Sequence, residues 1–96
     1  MKISILQMPI QEGDIEHNLD TMAAMLDKAI NSDQRPDAVL LPELWNTGFY
    51  PKPISEYADS QDIWKKHMGR LASEYTVNII AGSIAVARKS KIYNTC

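Results

Sequence analysis

Glu43 is the residue of this sequence whose type and setting could do chemistry. It follows a short apolar run, Ala38-Val39-Leu40-Leu41, that stops at Pro42, and it precedes a turn carrying Trp45, Asn46 and Gly48. The run is short, rich in branched residues and bounded by breakers, which predicts a buried strand. Pro42 keeps Leu41 extended and cannot donate to a sheet ladder, so the strand ends there. Glu43 then projects from the carboxyl end of a strand, where open α/β sheets place their ligands. A carboxylate there can serve as a general base or acid. On position alone a solvated surface glutamate is the ordinary reading.

Other groups offer less. Gly13, Gly48, Gly69 and Gly82 are scattered and make no phosphate-binding loop. His17 and His67 fall on predicted helices without a second ligand at metal spacing, so they read as surface or half-buried helix residues rather than zinc ligands. Ser83 follows Gly82 after a strand but lacks the glycine pattern of a nucleophile elbow. Cys96 sits in a strand-like context, where cysteines are usually inert packing residues. No cofactor or metal is called for.

The elements that must position Glu43 can be taken in order. Lys2 to Met8 is a strand. Gln11-Glu12-Gly13-Asp14 is a turn with Asp14 placed as an N-cap. Ile15, Leu19, Met22, Leu26, Ala29 and Ile30 then recur at three- and four-residue intervals, one stripe on a helix of about four turns. Met22, Met25 and Leu26 read as core packing rather than a cofactor box. The strand that delivers Glu43 follows a loop over Asn31 to Asp37.

From Leu44 to Asp59 there is no period, and a loop of this length in a small domain is usually functional or disordered; its aromatics favour an ordered one. Ser60 can cap a second helix whose buried stripe is Trp64, Met68, Leu71 and Tyr75, with Lys65, Lys66, Arg70 and Glu74 facing water. Val77 to Val86 reads as a third strand in which Gly82 marks a bulge or a close backbone approach. Arg88-Lys89-Ser90 turns it into a fourth strand, Lys91 to Thr95. The order is β-α-β-α-β-β, an α/β fold with parallel pairing at the start and a closing antiparallel hairpin. Two amphipathic helices can cover one face of this sheet and leave the other face and an edge bare. The chain therefore reads as the front part of something longer, and marginal stability is expected of it alone.

Composition sets the outer limits. The chain has 96 residues, a net charge of -2 and 45% hydrophobic residues, which fits one modest folded domain and no basic field for nucleic acid. No apolar stretch approaches a bilayer span, and the N-terminus opens as a strand rather than a signal peptide. A single cysteine makes no intramolecular disulfide, so a reducing compartment fits and the cytoplasm is the default.

Several short motifs occur together in one order: the opening strand Met1 to Met8, Gly13-Asp14, Asn18-Leu19, Leu41-Pro42-Glu43, Thr47-Gly48-Phe49, Ala81-Gly82-Ser83 and Tyr93-Asn94-Thr95. In that order and spacing the chain resembles, over its whole length, the N-terminal part of the nitrilase superfamily of carbon–nitrogen hydrolases. It is most similar to the ω-amidase-like branch, where a similar Pro-Glu-(Leu/Met)-Trp-x-Thr-Gly segment occurs.

The resemblance implies an αββα four-layer sandwich, of which residues 1–96 are an incomplete opening segment. It also implies acyl transfer through a Glu-Lys-Cys triad, with Glu43 as general base. The family's lysine lies beyond the Tyr-Asn-Thr strand and its cysteine later still. Lys91 and Cys96 match neither, so one third of the triad is expected here and the chain alone is expected to be inactive. Trp45, Asn46 and Tyr50 are candidates for lining a substrate pocket, and each could equally be loop packing. The expected partner is a small-molecule amide, with no nucleic acid and no membrane, and the dimers common in this family are open to it. Set against the amidase reading is a non-catalytic one: an inactive truncated member, or a small α/β module that binds through the Leu44 to Asp59 loop. A weaker alternative is association through the open sheet edge.

Overall fold

The computed structural model describes every residue except Tyr50, Asp59 and Ser60, and the side chain of Gln61. The expected caps and substrate contacts at Ser60 and Tyr50 therefore lie outside the described residues. The elements are β1 (Ile3–Ile5), α1 (Ile15–Ile30), β2 (Ala38–Leu40), α2 (Gln61–Tyr75), β3 (Asn78–Ile80), β4 (Ile84–Arg88) and β5 (Lys91–Thr95), with one 3-10 turn at Ile54–Glu56.

β1, β2 and β3 form a parallel sheet in that order, and β4 and β5 form a separate antiparallel hairpin. Successive right-handed crossovers moving one way across a sheet place both helices on the same face. One core accordingly joins Met22, Leu26 and Ile30 of α1, Trp64 and Met68 of α2, and Leu6, Val39 and Leu41 from the sheet side. On the opposite face Ile5, Leu40 and Ile80 stand side by side in register. There Ile5 is 63% exposed and Ile80 46%, so the face expected to be uncovered is open and apolar.

The helices follow the sequence pattern. The Asp14 side chain accepts the His17 N–H at 3.0 Å, the expected cap of α1. The α1 stripe holds an addition: its fully buried positions are Asn18, Met22, Leu26 and Ile30, while Ile15, Leu19, Met25 and Ala29 pack only partly against the core. Asn18, a polar residue on the apolar stripe, accepts the Gln11 N–H at 2.7 Å and donates to the Gln11 carbonyl at 2.8 Å and the Asn46 carbonyl at 2.9 Å. It thereby ties the loop before α1 to the turn after β2. The Gly13 N–H adds a bond to the Thr47 carbonyl at 2.8 Å.

α2 buries the expected Trp64 and Met68, with Leu71 and Tyr75 partly buried against the core. Thr76, in the left-handed region at φ 51, ends it. His67 lies edge-on to Trp64, and burial first, then the Arg70 guanidinium, lowers its proton affinity below the usual imidazole range. That is the half-buried helix position its spacing suggested.

The expected third strand is two strands. The run Val77 to Val86 breaks at Gly82, so that β3 stays in the parallel sheet and β4 leaves it for the hairpin. Gly82 has φ +62, and a β-carbon there would stand 2.1 Å from the Pro42 carbonyl oxygen and 2.6 Å from that of Leu41. A residue with a side chain could neither adopt that φ cheaply nor fit beside that backbone. The close approach that the glycine suggested is real, and it is what turns the strand out of the sheet. The hairpin itself closes in two residues, Lys89 at φ 45 and Ser90 at φ 64, between the paired Arg88 and Lys91. Two positive φ values make the turn whose twist matches its strands.

Two substitutions test this frame. Gly82→Ala combines left-handed strain with a backbone overlap and should destabilise by about 2–4 kcal/mol, read as a fall in melting temperature. Asn18→Ala strands the buried Asn46 carbonyl and the part-buried N–H and carbonyl of Gln11, and should cost about 1–3 kcal/mol, with faster amide exchange at Gln11. Wild-type stability in either variant would contradict the assignment.

Candidate functional site

The site is built where β2 ends. The Leu41 N–H still donates to the Ile80 carbonyl at 2.9 Å, the last ladder bond before Pro42 removes the next donor. The chain then turns tightly: Leu44 takes φ 46, and the Gly48 N–H closes back on the Leu44 carbonyl at 2.8 Å. A leucine in the left-handed region needs outside support. Ser83 supplies it, its Oγ accepting the Leu44 N–H at 3.1 Å. The Trp45 indole N–H donates to the Ala81 carbonyl at 2.9 Å. Residues 81–83 are thus a clamp on the turn that carries Glu43.

Glu43 is exposed, and its Oε1 accepts a hydrogen bond from Asn94 Nδ2 at 2.7 Å. That bond joins the end of β2 to β5 across 51 residues of sequence. The carboxylate opens on a cleft of about 400 Å³ lined by Leu40, Glu43, Ile80, Gly82, Ser83, Asn94 and Cys96. Its floor is the exposed apolar sheet face, its polar groups a carboxylate, an amide, a hydroxyl and a thiol. Such a group can accept a proton from a neighbour in the cleft. The chain's own residues leave it in contact with water, so the dry setting expected of a catalytic carboxylate is not built from them.

Trp45 and Asn46 stand elsewhere. Trp45 is fully buried, edge-on to Trp64 with ring centroids 5.7 Å apart. It borders a second cavity of about 260 Å³ shared with Trp64, Lys65 and Met68, on the α2 side of the clamp. Asn46 is also fully buried, and its side-chain amide has no hydrogen-bond partner among the described residues. Neither is among the residues lining the Glu43 cleft, and both are buried in the turn that follows Glu43. Gly82 and Cys96 border both cavities. His17 lies exposed on α1, away from the cleft.

Sequence reasoning attached no role to Asn94 and set Ser83 aside as a nucleophile. Their motifs, Tyr93-Asn94-Thr95 and Ala81-Gly82-Ser83, were the signal: both converge on the Glu43 turn. Among the described residues no helix is long and apolar enough to cross a membrane.

Comparison with known proteins bears on the family and the fold. The family model for carbon-nitrogen hydrolases matches residues 2–96. A "hydrolase in agr operon" of Staphylococcus aureus is 36% identical over 99 residues, covering 99% of this chain and 36% of that protein. A 2-oxoglutaramate amidase of Bacillus subtilis (strain 168) is 35% identical over 97 residues, covering 97% of this chain and 35% of that protein. The chain spans about a third of the length of these curated relatives. Among solved structures, a Saccharomyces cerevisiae member of branch 10 of the nitrilase superfamily superposes with a TM-score of 0.83 at 20% identity, over 98% of this chain and 37% of that one. An N-terminal amidase superposes with a TM-score of 0.80 at 22% identity, over 98% of this chain and 24% of that one. At those identities the likeness establishes the fold, an α/β arrangement of the nitrilase type. With the family model spanning nearly every residue, the chain belongs to the carbon-nitrogen hydrolase family.

Proposed function

We propose that residues 1–96 are the opening segment of an amidase domain, and that Glu43 is the general base of its site. One observation carries the reading. In a chain of this family, Glu43 stands at the carboxyl end of β2, clamped by Ser83, and faces an open cleft. That combination, rather than position alone, is what supports a general base over a surface glutamate.

The mechanism follows from what the resemblance implies. Glu43 accepts the thiol proton as a cysteine attacks the amide carbon, and a lysine supports the oxyanion that forms. The proton passes to the leaving nitrogen, ammonia departs, and a thioester remains. Glu43 then takes a proton from the water that cleaves the thioester, releasing the carboxylic acid and restoring the thiol. Lys91 precedes the Tyr-Asn-Thr strand and Cys96 follows it directly, so neither takes the lysine or nucleophile role. Those groups would come from outside these 96 residues. Burial of Glu43 would come from there too, by covering the bare sheet face.

The substrate class we propose is a small ω-amide, such as the deaminated analogue of glutamine. The Bacillus relative is named for acting on 2-oxoglutaramate, a compound of that kind. The location we propose is the cytoplasm, where a single unpaired cysteine stays reduced.

A chimera gives the test. Residues 1–96 replace the matching segment of the Bacillus amidase, and ammonia release from 2-oxoglutaramate is followed. We expect a folded, active chimera in which Glu43→Gln lowers kcat by about 10³-fold with little change in KM. Undiminished turnover in folded Glu43→Gln would overturn the assignment. The 96-residue polypeptide alone should release no ammonia. Turnover by it that survives Cys96→Ser and is abolished by Glu43→Gln would show that it carries a complete site.

A further inference from the structure

We propose that Asn94 is the positioning residue for Glu43: its Nδ2–H group holds Oε1 and leaves Oε2 as the oxygen free to take a proton. The inference rests on the reading of Glu43 as a base and adds which of its two oxygens works. It starts from the 2.7 Å bond between them, which among the described residues is the hydrogen bond that holds the Glu43 carboxylate. A glutamate side chain that is exposed and unheld samples several staggered rotamers, and fixing it costs on the order of 1–2 kcal/mol of side-chain entropy. A charge-assisted donor at one oxygen can offset that cost. An ionised carboxylate has about four acceptor sites, so one donor leaves the second oxygen available.

The chemical type of the donor matters. A lysine or arginine here would pair with the carboxylate and oppose its protonation during turnover. An asparagine amide is neutral. It donates through Nδ2 to Oε1 of the ionised form, and when Oε2 takes the proton Oε1 still accepts that bond. Asn94 can therefore stay bonded to Glu43 through both states of a proton-transfer cycle.

Its position is set by the same segment that fixes the Glu43 backbone. Ser83 bonds the Leu44 N–H, β4 begins at the next residue, and the hairpin register pairs Ala85 with Asn94. The two-residue turn at Lys89 and Ser90 locks that register. A slip of one residue would turn the Asn94 side chain to the other face of the hairpin and break the bond.

The experiment is solution NMR on the 96-residue chain, reading the side-chain three-bond couplings of Glu43 and the two Nδ2 proton resonances of Asn94. In the wild type, the couplings should be those of one rotamer, and one Asn94 amide proton should lie downfield. Asn94→Asp keeps the size and removes the donor; Asn94→Val keeps the strand and removes it as well. Either folded variant should collapse the Glu43 couplings to the rotamer average while the melting temperature stays near that of the wild type. Glu43→Gln, whose amide oxygen still accepts, should keep the downfield Asn94 proton. Averaged couplings in the wild type, or couplings unchanged in the folded Asp and Val variants, would overturn the proposal. None of these readouts requires turnover, so their failure is distinct from failure of Glu43→Gln to lower kcat in the chimera.

Discussion

Two carbonyl oxygens, those of Leu41 and Pro42, occupy the space that any side chain at residue 82 would need. This backbone-on-backbone approach is the constraint on which the rest depends. It lets the chain leaving β3 cross directly over the end of β2 and turn away into the hairpin. Because the crossing is so close, Ala81 and Ser83 on either side of Gly82 reach the turn beneath with a carbonyl and a hydroxyl. The left-handed Leu44 is held from outside by that contact, and Glu43 beside it inherits a fixed backbone. Removing the approach would free the turn, the carboxylate and the hairpin together.

A second tie works from the other side. Asn18 lies in the first turn of α1 on an otherwise apolar helix stripe, fully buried, with its amide spent on Gln11 and Asn46. Buried polar groups are stable when every partner is present. Here the partners are backbone groups of two loops that have no ladder of their own. The turn after β2 is thus gripped by α1 through Asn18 and by the β3–β4 crossing through Gly82 and Ser83. What remains mobile in principle is the Glu43 side chain, and Asn94 meets it from β5.

Much of this was legible in the sequence, and the unread parts share a cause. The helices declared themselves because an apolar stripe at three- and four-residue intervals has few other meanings. Pro42 marked the end of β2 because it lacks a donor. The run Val77 to Val86 was harder: a continuous apolar stretch has the same composition as one long strand or as two strands in different sheets. Only Gly82 distinguishes them, and it does so through a contact with Pro42, forty residues away in sequence. Asn18, Ser83 and Asn94 were visible as parts of motifs, yet their roles are relations between distant segments that no local pattern encodes. Trp45 and Asn46 sit beside Glu43 in sequence yet are buried, because the turn folds back on itself after Glu43 and residues 44–48 all lie inside. Membership of the carbon-nitrogen hydrolase family, by contrast, was carried by the collinear order of motifs that were each weak alone.

The central claim is that the crossing at residues 81–83 clamps the Glu43 turn, and amide hydrogen exchange measures it most directly. The Leu44 amide and the Trp45 indole N–H are the two donors that the crossing receives. If the clamp is part of the cooperative core, both should exchange within about tenfold of the slowest amides of the parallel sheet and its flanks, such as Leu41 just after β2. Exchange of both at the rate of an exposed loop, with Leu41 still protected, would show that the turn moves independently and would contradict the account.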